Sequence, residues 1–185
     1  MERKLNLAFN GFRIVAVNTN AGPTSLERRW EPDRFMEVAA AILHRRRNVR
    51  FFFTGSADEH AYVEAALRHS PKVQSHAVNC AGLLTLGELI ALLERSSLFL
   101  TNDSGPMHIA SSVGTPMVAL FGPESPQFYG PVGPSRVLYK DISCSPCLSM
   151  YNAKLFECPY NARCMKEIST DEVLEAALAV LSSPQ

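Results

Sequence analysis

Leu98-Phe-Leu-Thr-Asn-Asp-Ser-Gly-Pro-Met-His-Ile-Ala-Ser-Ser-Val-Gly-Thr-Pro-Met-Val-Ala-Leu-Phe-Gly-Pro123 is the stretch whose reading decides the fold. It holds two apolar runs of strand length, Leu98 to Thr101 and Pro116 to Phe121, of the kind that parallel strands buried on both faces require. Between them Asn102, Asp103 and Ser104 are capping residue types, and Pro106 stands near a first helical position, where no partner exists for its missing N–H. The order is strand, sharp turn, helix from about Gly105 to about Val113, then Gly114 to end the helix and a second strand. A helix that starts at the carboxyl edge of a parallel sheet presents free backbone N–H groups and the positive end of its dipole. Gly105 lets a bulky anion approach that backbone, so the stretch predicts a phosphate seat.

Working outward, the same alternation continues. Arg13 to Val17 is strand-like, and the turn from Asn18 to Pro23 lacks the Gly-x-Gly-x-x-Gly that a dinucleotide-binding oxidoreductase would show there. A loop through Thr24 and Arg28 leads to Pro32, which opens a helix carrying Phe35, Ala39, Ile42 and Leu43 at helical spacing. Arg45 to Arg47 then supply cations to that helix's C-terminus. Val49 to Thr54 reads as a second buried strand, and Ser75 to Asn79 as a short third one. Capping boxes at Ser56 and Glu59, Thr85 and Glu88, and Ser169 and Glu172 each predict a helix start. The stripe Leu86, Leu89, Ile90 and Leu93 is core. Val137 to Tyr139 forms a short strand, and Val173, Ala177, Val180 and Leu181 pattern a closing helix over 170–182. Strands alternating with helices predict an α/β fold, a Rossmann-like doubly wound parallel sheet. Such sheets bind ligands outside the carboxyl ends of their strands, where the turns at 19–30, 55–59 and 102–108 fall.

Residues 1–12 read as a lead-in and 13–185 as one domain, and 185 residues with 46% hydrophobic content suffice for a proper core. The 18 basic and 18 acidic residues balance, which argues against nucleic acid or an anionic membrane as a partner recruited by net charge. The sequence has no long apolar run and no signal-peptide pattern, so the chain reads as cytosolic. Of five cysteines, Cys144, Cys147, Cys158 and Cys164 crowd into one segment, 144–164. Their opening C-x-x-C admits tetrahedral zinc, but the later spacing fits no standard finger, and free or partly disulfide-linked thiols are the other reading.

Asp103-Ser-Gly-Pro-Met-His-Ile-Ala110, followed by Gly114-Thr-Pro116 and Leu120-Phe-Gly-Pro123, closely resembles the nucleotide-sugar site of the lipopolysaccharide heptosyltransferases, glycosyltransferase family nine. The resemblance implies one half of a GT-B fold, with an inverting transfer of heptose from ADP-heptose to the inner core of lipopolysaccharide. It requires no metal or other cofactor, and it lends the cysteines no role. It also implies that Arg28, aided by Thr24, reaches the donor diphosphate. The family's basic residue there is usually Lys, and here Glu31 intervenes between Trp30 and Pro32. Asp58, just past the second strand, is the candidate for the ribose hydroxyls or a plain cap. Ser104 and Gly105 lend backbone N–H groups to the departing ADP. His108 either donates to a phosphate oxygen or sugar hydroxyl or is bonded within its own turn. Asp103 either receives heptose hydroxyls or caps the helix. Base selectivity would come from the loop around Gly82 to Gly87.

The resemblance covers nearly the whole chain but only the second half of the family, whose acceptor site and catalytic base lie in a separate N-terminal half. The expectation is therefore a donor-binding domain that binds ADP or ADP-heptose and transfers no sugar alone. It would act in the cytoplasm at the inner face of the inner membrane, with at most peripheral membrane contact. The rival expectation is a stand-alone nucleotide-binding regulatory module without catalysis.

Overall fold

The computed structural model of the chain describes residues 11–22, 25–149, 151–152 and 157–183. Its strands are β1 (Arg13–Asn18), β2 (Val49–Phe53), β3 (Ala77–Asn79), β4 (Ser96–Asn102), β5 (Met117–Phe121) and β6 (Ser135–Tyr139). They form one sheet in the order β3-β2-β1-β4-β5-β6, with every neighbouring pair parallel. This is the α/β, Rossmann-like doubly wound sheet that the alternation predicts, and its order reverses between β1 and β4.

The helices are α1 (Pro32–Arg45), α2 (His60–Arg68), α3 (Pro71–Gln74), α4 (Leu86–Glu94), α5 (Gly105–Ser112), α6 (Pro126–Tyr129), α7 (Arg163–Lys166) and α8 (Thr170–Ser182). Because strand side chains alternate, the sheet feeds two cores. Val15, Val17, Phe51, Phe53, Leu98, Leu100, Val118 and Leu120 pack on one face with residues of α1, α2 and α8. Ala16, Phe99, Met117, Ala119 and Phe121 pack on the other with Leu93, Met107 and Ala110. Phe12, inside the segment read as a lead-in, stacks on Phe52 with ring centroids 6.5 Å apart.

The capping boxes form. Thr85 N–H donates to Glu88 Oε2 at 2.8 Å while Glu88 N–H returns to Thr85 Oγ1 at 3.3 Å, and Ser169 with Glu172 repeats this at 2.9 and 3.2 Å. At the first box Ser56 N–H reaches Glu59 Oε2 at 2.8 Å, but a 3-10 turn, Ala57–Glu59, precedes α2. Gly114 leaves α5 with φ +72°, the conformation that ends a helix most cheaply at glycine. The third strand is shorter than its expected start at Ser75. Pro71 opens α3 instead, and Ser75 N–H and His76 N–H are spent on the carbonyls of Pro71 and Val73. The short helices α3, α6 and α7 have too few residues to show a period.

The cysteine segment docks on the turn after β5. Cys147 N–H and Leu148 N–H both donate to Pro123 O at 2.8 Å, and a Cβ on Gly122 would lie 2.4 Å from Met165 Sδ and 3.1 Å from Cys164 Sγ. All five cysteines are free. Among the described residues no three or more His, Cys, Asp or Glu side chains are grouped to hold a metal ion, so the zinc arrangement admitted by the C-x-x-C spacing is not formed by them. Also among these residues, no helix is long and apolar enough to cross a membrane.

Candidate functional site

The loops after β1, β2, β4 and β5 meet at the carboxyl edge of the sheet, around the point where the strand order reverses. The amino end of α5 opens there. Ser104 occupies the N-cap position with extended backbone, φ −163° and ψ 165°, but its side chain makes no cap bond. Its Oγ is turned inward, accepting from Asn18 Nδ2 at 3.1 Å and lying 3.2 Å from Thr101 Oγ1. Asp103, the other candidate cap, does not cap the helix either. The helix start is thus left without a side-chain acceptor, and a Cβ built on Gly105 meets nothing within 4 Å. An unsatisfied helix amino terminus facing open space attracts an anion.

Beside it lies a charged cluster. Arg28, at the end of a 3-10 turn, points Nη1 at Asp103 Oδ2 (3.4 Å) and at Glu124 Oε1 (3.8 Å), while Nη2 donates to Ala21 O at 2.8 Å. Burial pushes the Asp103 carboxyl above its ordinary range and Arg28 pulls it back. Burial also raises Glu124, the Asp103 charge raises it further, and Arg28 opposes both. His108 is exposed, its side chain makes no hydrogen bond to the described residues, and it stands near enough to lower both acids.

What carries Arg28 to this place is a frame that motif reading missed. Asn102, fully buried at the end of β4, accepts Trp30 N–H on Oδ1 at 3.0 Å and donates through Nδ2 to Thr19 O at 3.0 Å and Asn20 O at 3.4 Å. Trp30 is itself buried, with its ring edge-on to Phe35 and Nε1–H on Ile168 O at 3.0 Å. The two ends of the 19–30 loop are thereby pinned to β4. Two asparagines and a tryptophan in a buried loop were the available signal, since a buried polar group needs a partner. The hydroxyl of Thr19 and the amide of Asn20 are buried with no partner among the described residues.

Thus the structure brings Arg28, Asp103, Ser104, Gly105 and His108 together and adds Glu124, Asn18 and Asn102. Asp58 lies apart, exposed on the 3-10 turn after β2, where its neighbour Glu59 faces Arg29 at 3.5 Å. Thr24 lies outside the described residues. Next to the start of α5 is a pocket of about 90 Å³ lined by Thr54, Gly55, Cys80, Leu84, Leu89 and Pro106. On the turn that leads from Cys80 to Leu84, Gly82 takes φ +74°, and a Cβ added to it would lie 2.6 Å from Ala57 Cα. A larger hollow, about 300 Å³, lined by Arg13, Ser97 and Arg136 among others, lies at the opposite edge, where the strands begin.

Comparison with known proteins bears on this site. The model of "Glycosyltransferase family 9 (heptosyltransferase)" matches residues 7–155. Lipooligosaccharide heptosyltransferase 2 of Campylobacter jejuni is 28% identical over 182 residues, covering 94% of this chain and 53% of that protein. The structure of E. coli ADP-heptose lipopolysaccharide heptosyltransferase II superposes with a TM-score of 0.79 at 24% identity, over 97% of this chain and 49% of that one. A family 9 glycosyltransferase from Veillonella parvula gives 0.74 at 29% identity, over 97% and 49%. The chain spans about half the length of these relatives. With the family model matched along most of the chain, through the strand, turn and helix from Ser96 to Ser112, the chain belongs to glycosyltransferase family 9, the heptosyltransferases.

Proposed function

We propose that this chain is the donor-binding part of an inverting heptosyltransferase that moves heptose from ADP-heptose to the inner core of lipopolysaccharide. The observation that carries the reading is the uncapped amino end of α5, open above Gly105 and flanked by Arg28. The diphosphate sits there. Its charge grows as the bond to the sugar breaks, and backbone N–H groups already oriented toward it stabilise that charge without reorganising. Arg28, held through Ala21 O and the Asn102 frame, adds a fixed positive charge on the same side, and Thr24, outside the described residues, assists it. The base enters the pocket beside Pro106, between Leu84 and Leu89. Asp58, on the exposed turn after β2, receives the ribose hydroxyls, and His108 and Asp103 meet the sugar.

No metal is needed for this grip. The site that holds the acceptor and the base that deprotonates its hydroxyl fall, on this reading, to the part of the relatives that this chain does not match, so the 185-residue chain binds donor and transfers nothing alone. The site of action is the cytoplasmic face of the inner membrane.

Thermal unfolding of the chain with ADP, ADP-heptose, a UDP-sugar and NAD tests the reading. A ligand at a hundred times its Kd adds about 2.7 kcal/mol of stability. ADP and ADP-heptose should stabilise most, and Arg28→Ala should diminish both shifts. A larger shift with NAD, or an ADP shift indifferent to Arg28, overturns the assignment.

A further inference from the structure

Glu124 is the one charged group of the cluster that no motif singles out, and the local fold makes no use of it. The neighbouring residue, Ser125, caps α6 through its own Oγ, which accepts Gln127 N–H at 3.3 Å. The Glu124 side chain, 12% exposed, instead lies 3.8 Å from Arg28 Nη1. One guanidinium therefore faces two carboxylates, Asp103 and Glu124, at a place proposed to receive a diphosphate. For a bare nucleotide that arrangement is unfavourable, because the second carboxylate repels what Arg28 attracts.

A sugar changes the balance. Ionised carboxylates only accept hydrogen bonds, so two of them fixed by a shared guanidinium form a paired acceptor for neighbouring hydroxyl groups. Resting on the donor-site reading above, we propose that Glu124 acts with Asp103 as the sugar-reading pair, so that the site prefers a nucleoside diphosphate sugar over the free nucleoside diphosphate. Once the sugar has gone, the same charge works against the product that remains.

Calorimetric titration of the 185-residue chain with ADP and with ADP-heptose tests this. In Glu124→Gln, ADP should bind about three-fold tighter, through loss of a like charge. ADP-heptose should bind about ten-fold weaker, through loss of charge-assisted hydrogen bonds. Glu124→Asp keeps the charge but withdraws it by one methylene. It should leave ADP unchanged and still weaken ADP-heptose, which covers the case in which the glutamine variant folds poorly. Equal weakening of both ligands would mean that Glu124 merely steadies Arg28, and no change in either would mean that it reads nothing; both results overturn the proposal. If the unmodified chain binds neither ligand, the donor-site reading itself fails, a result distinct from binding that Glu124→Gln leaves unsplit.

Discussion

Gly105→Ala separates the stability of this fold from the chemistry of its site. Gly105 is the first residue of α5, and a Cβ added to it meets no atom within 4 Å. The unliganded chain therefore accepts the methyl without a clash. Alanine's better helix propensity should even raise stability, by about 0.5 kcal/mol at a first-turn position. The same methyl stands in the space through which a phosphate must approach the exposed N–H groups. Losing one hydrogen bond to a charged oxygen costs about 1.5–3 kcal/mol, or roughly 10- to 100-fold in affinity. Urea unfolding without ligand and calorimetric titration with ADP measure the two effects on one protein. A variant that unfolds at the same or higher urea concentration yet binds ADP at least ten-fold more weakly is the expected result. Unchanged ADP affinity in a folded Gly105→Ala chain would refute the reasoning, because the anion would then not be seated on this backbone.

Other perturbations probe the frame around that seat. Asn102→Ala strands Trp30 N–H and Thr19 O in the interior and should cost about 2–3 kcal/mol in urea unfolding, with weaker ADP binding because Arg28 rides on the loop; a cost below about 0.5 kcal/mol would count against the frame. Gly82→Ala forces a Cβ against Ala57 Cα and a methyl-bearing residue to φ +74°, so a loss of about 2 kcal/mol is expected by thermal unfolding. Glu172 is held down to about 2 by the hydrogen bond from Lys140, then by Ser169 N–H. A depressed folded pKa means stability that is present above the unfolded value near 4.5 and lost as pH falls toward about 2. Since Glu172 is 42% exposed, Glu172→Gln should cost only about 0.5–1 kcal/mol at pH 7, a difference that vanishes on acidification to about pH 2. Burial lifts the Cys80 thiol to about 12 and Cys164 to about 11, so a thiol reagent at pH 8 should label Cys144 and Cys158 first and reach Cys80 and Cys164 only on unfolding.

The strands and the helix starts were legible because they depend on neighbours within a few residues. Val15 and Phe51 lie in apolar runs that a buried parallel strand demands, and Thr85 with Glu88 closes a box across three positions. The order of Asp103, Ser104 and Gly105 likewise announced a helix start at the end of the fourth strand, and the structure differs in how that start is capped. Ser104 spends its hydroxyl on Asn18 and Thr101, and Asp103 spends its carboxylate on Arg28, so neither blocks the helix terminus. Glu124 and Asn102 were not legible. Their partners, Arg28 and Trp30, stand 96 and 72 residues away in sequence, and no local period carries such pairings.

The residues alone determined an alternating α/β chain with a helix that starts at Gly105 after its fourth strand, because hydrogen-bonded turns, caps and apolar runs act over short distances. Only the tertiary structure decided that β1 lies between β2 and β4, so that the loop after β1 meets the turn after β4 and lays Arg28 between Asp103 and Glu124. Strand order is settled by which packing buries both faces of the whole sheet at once, and that balance is struck among residues far apart along the chain.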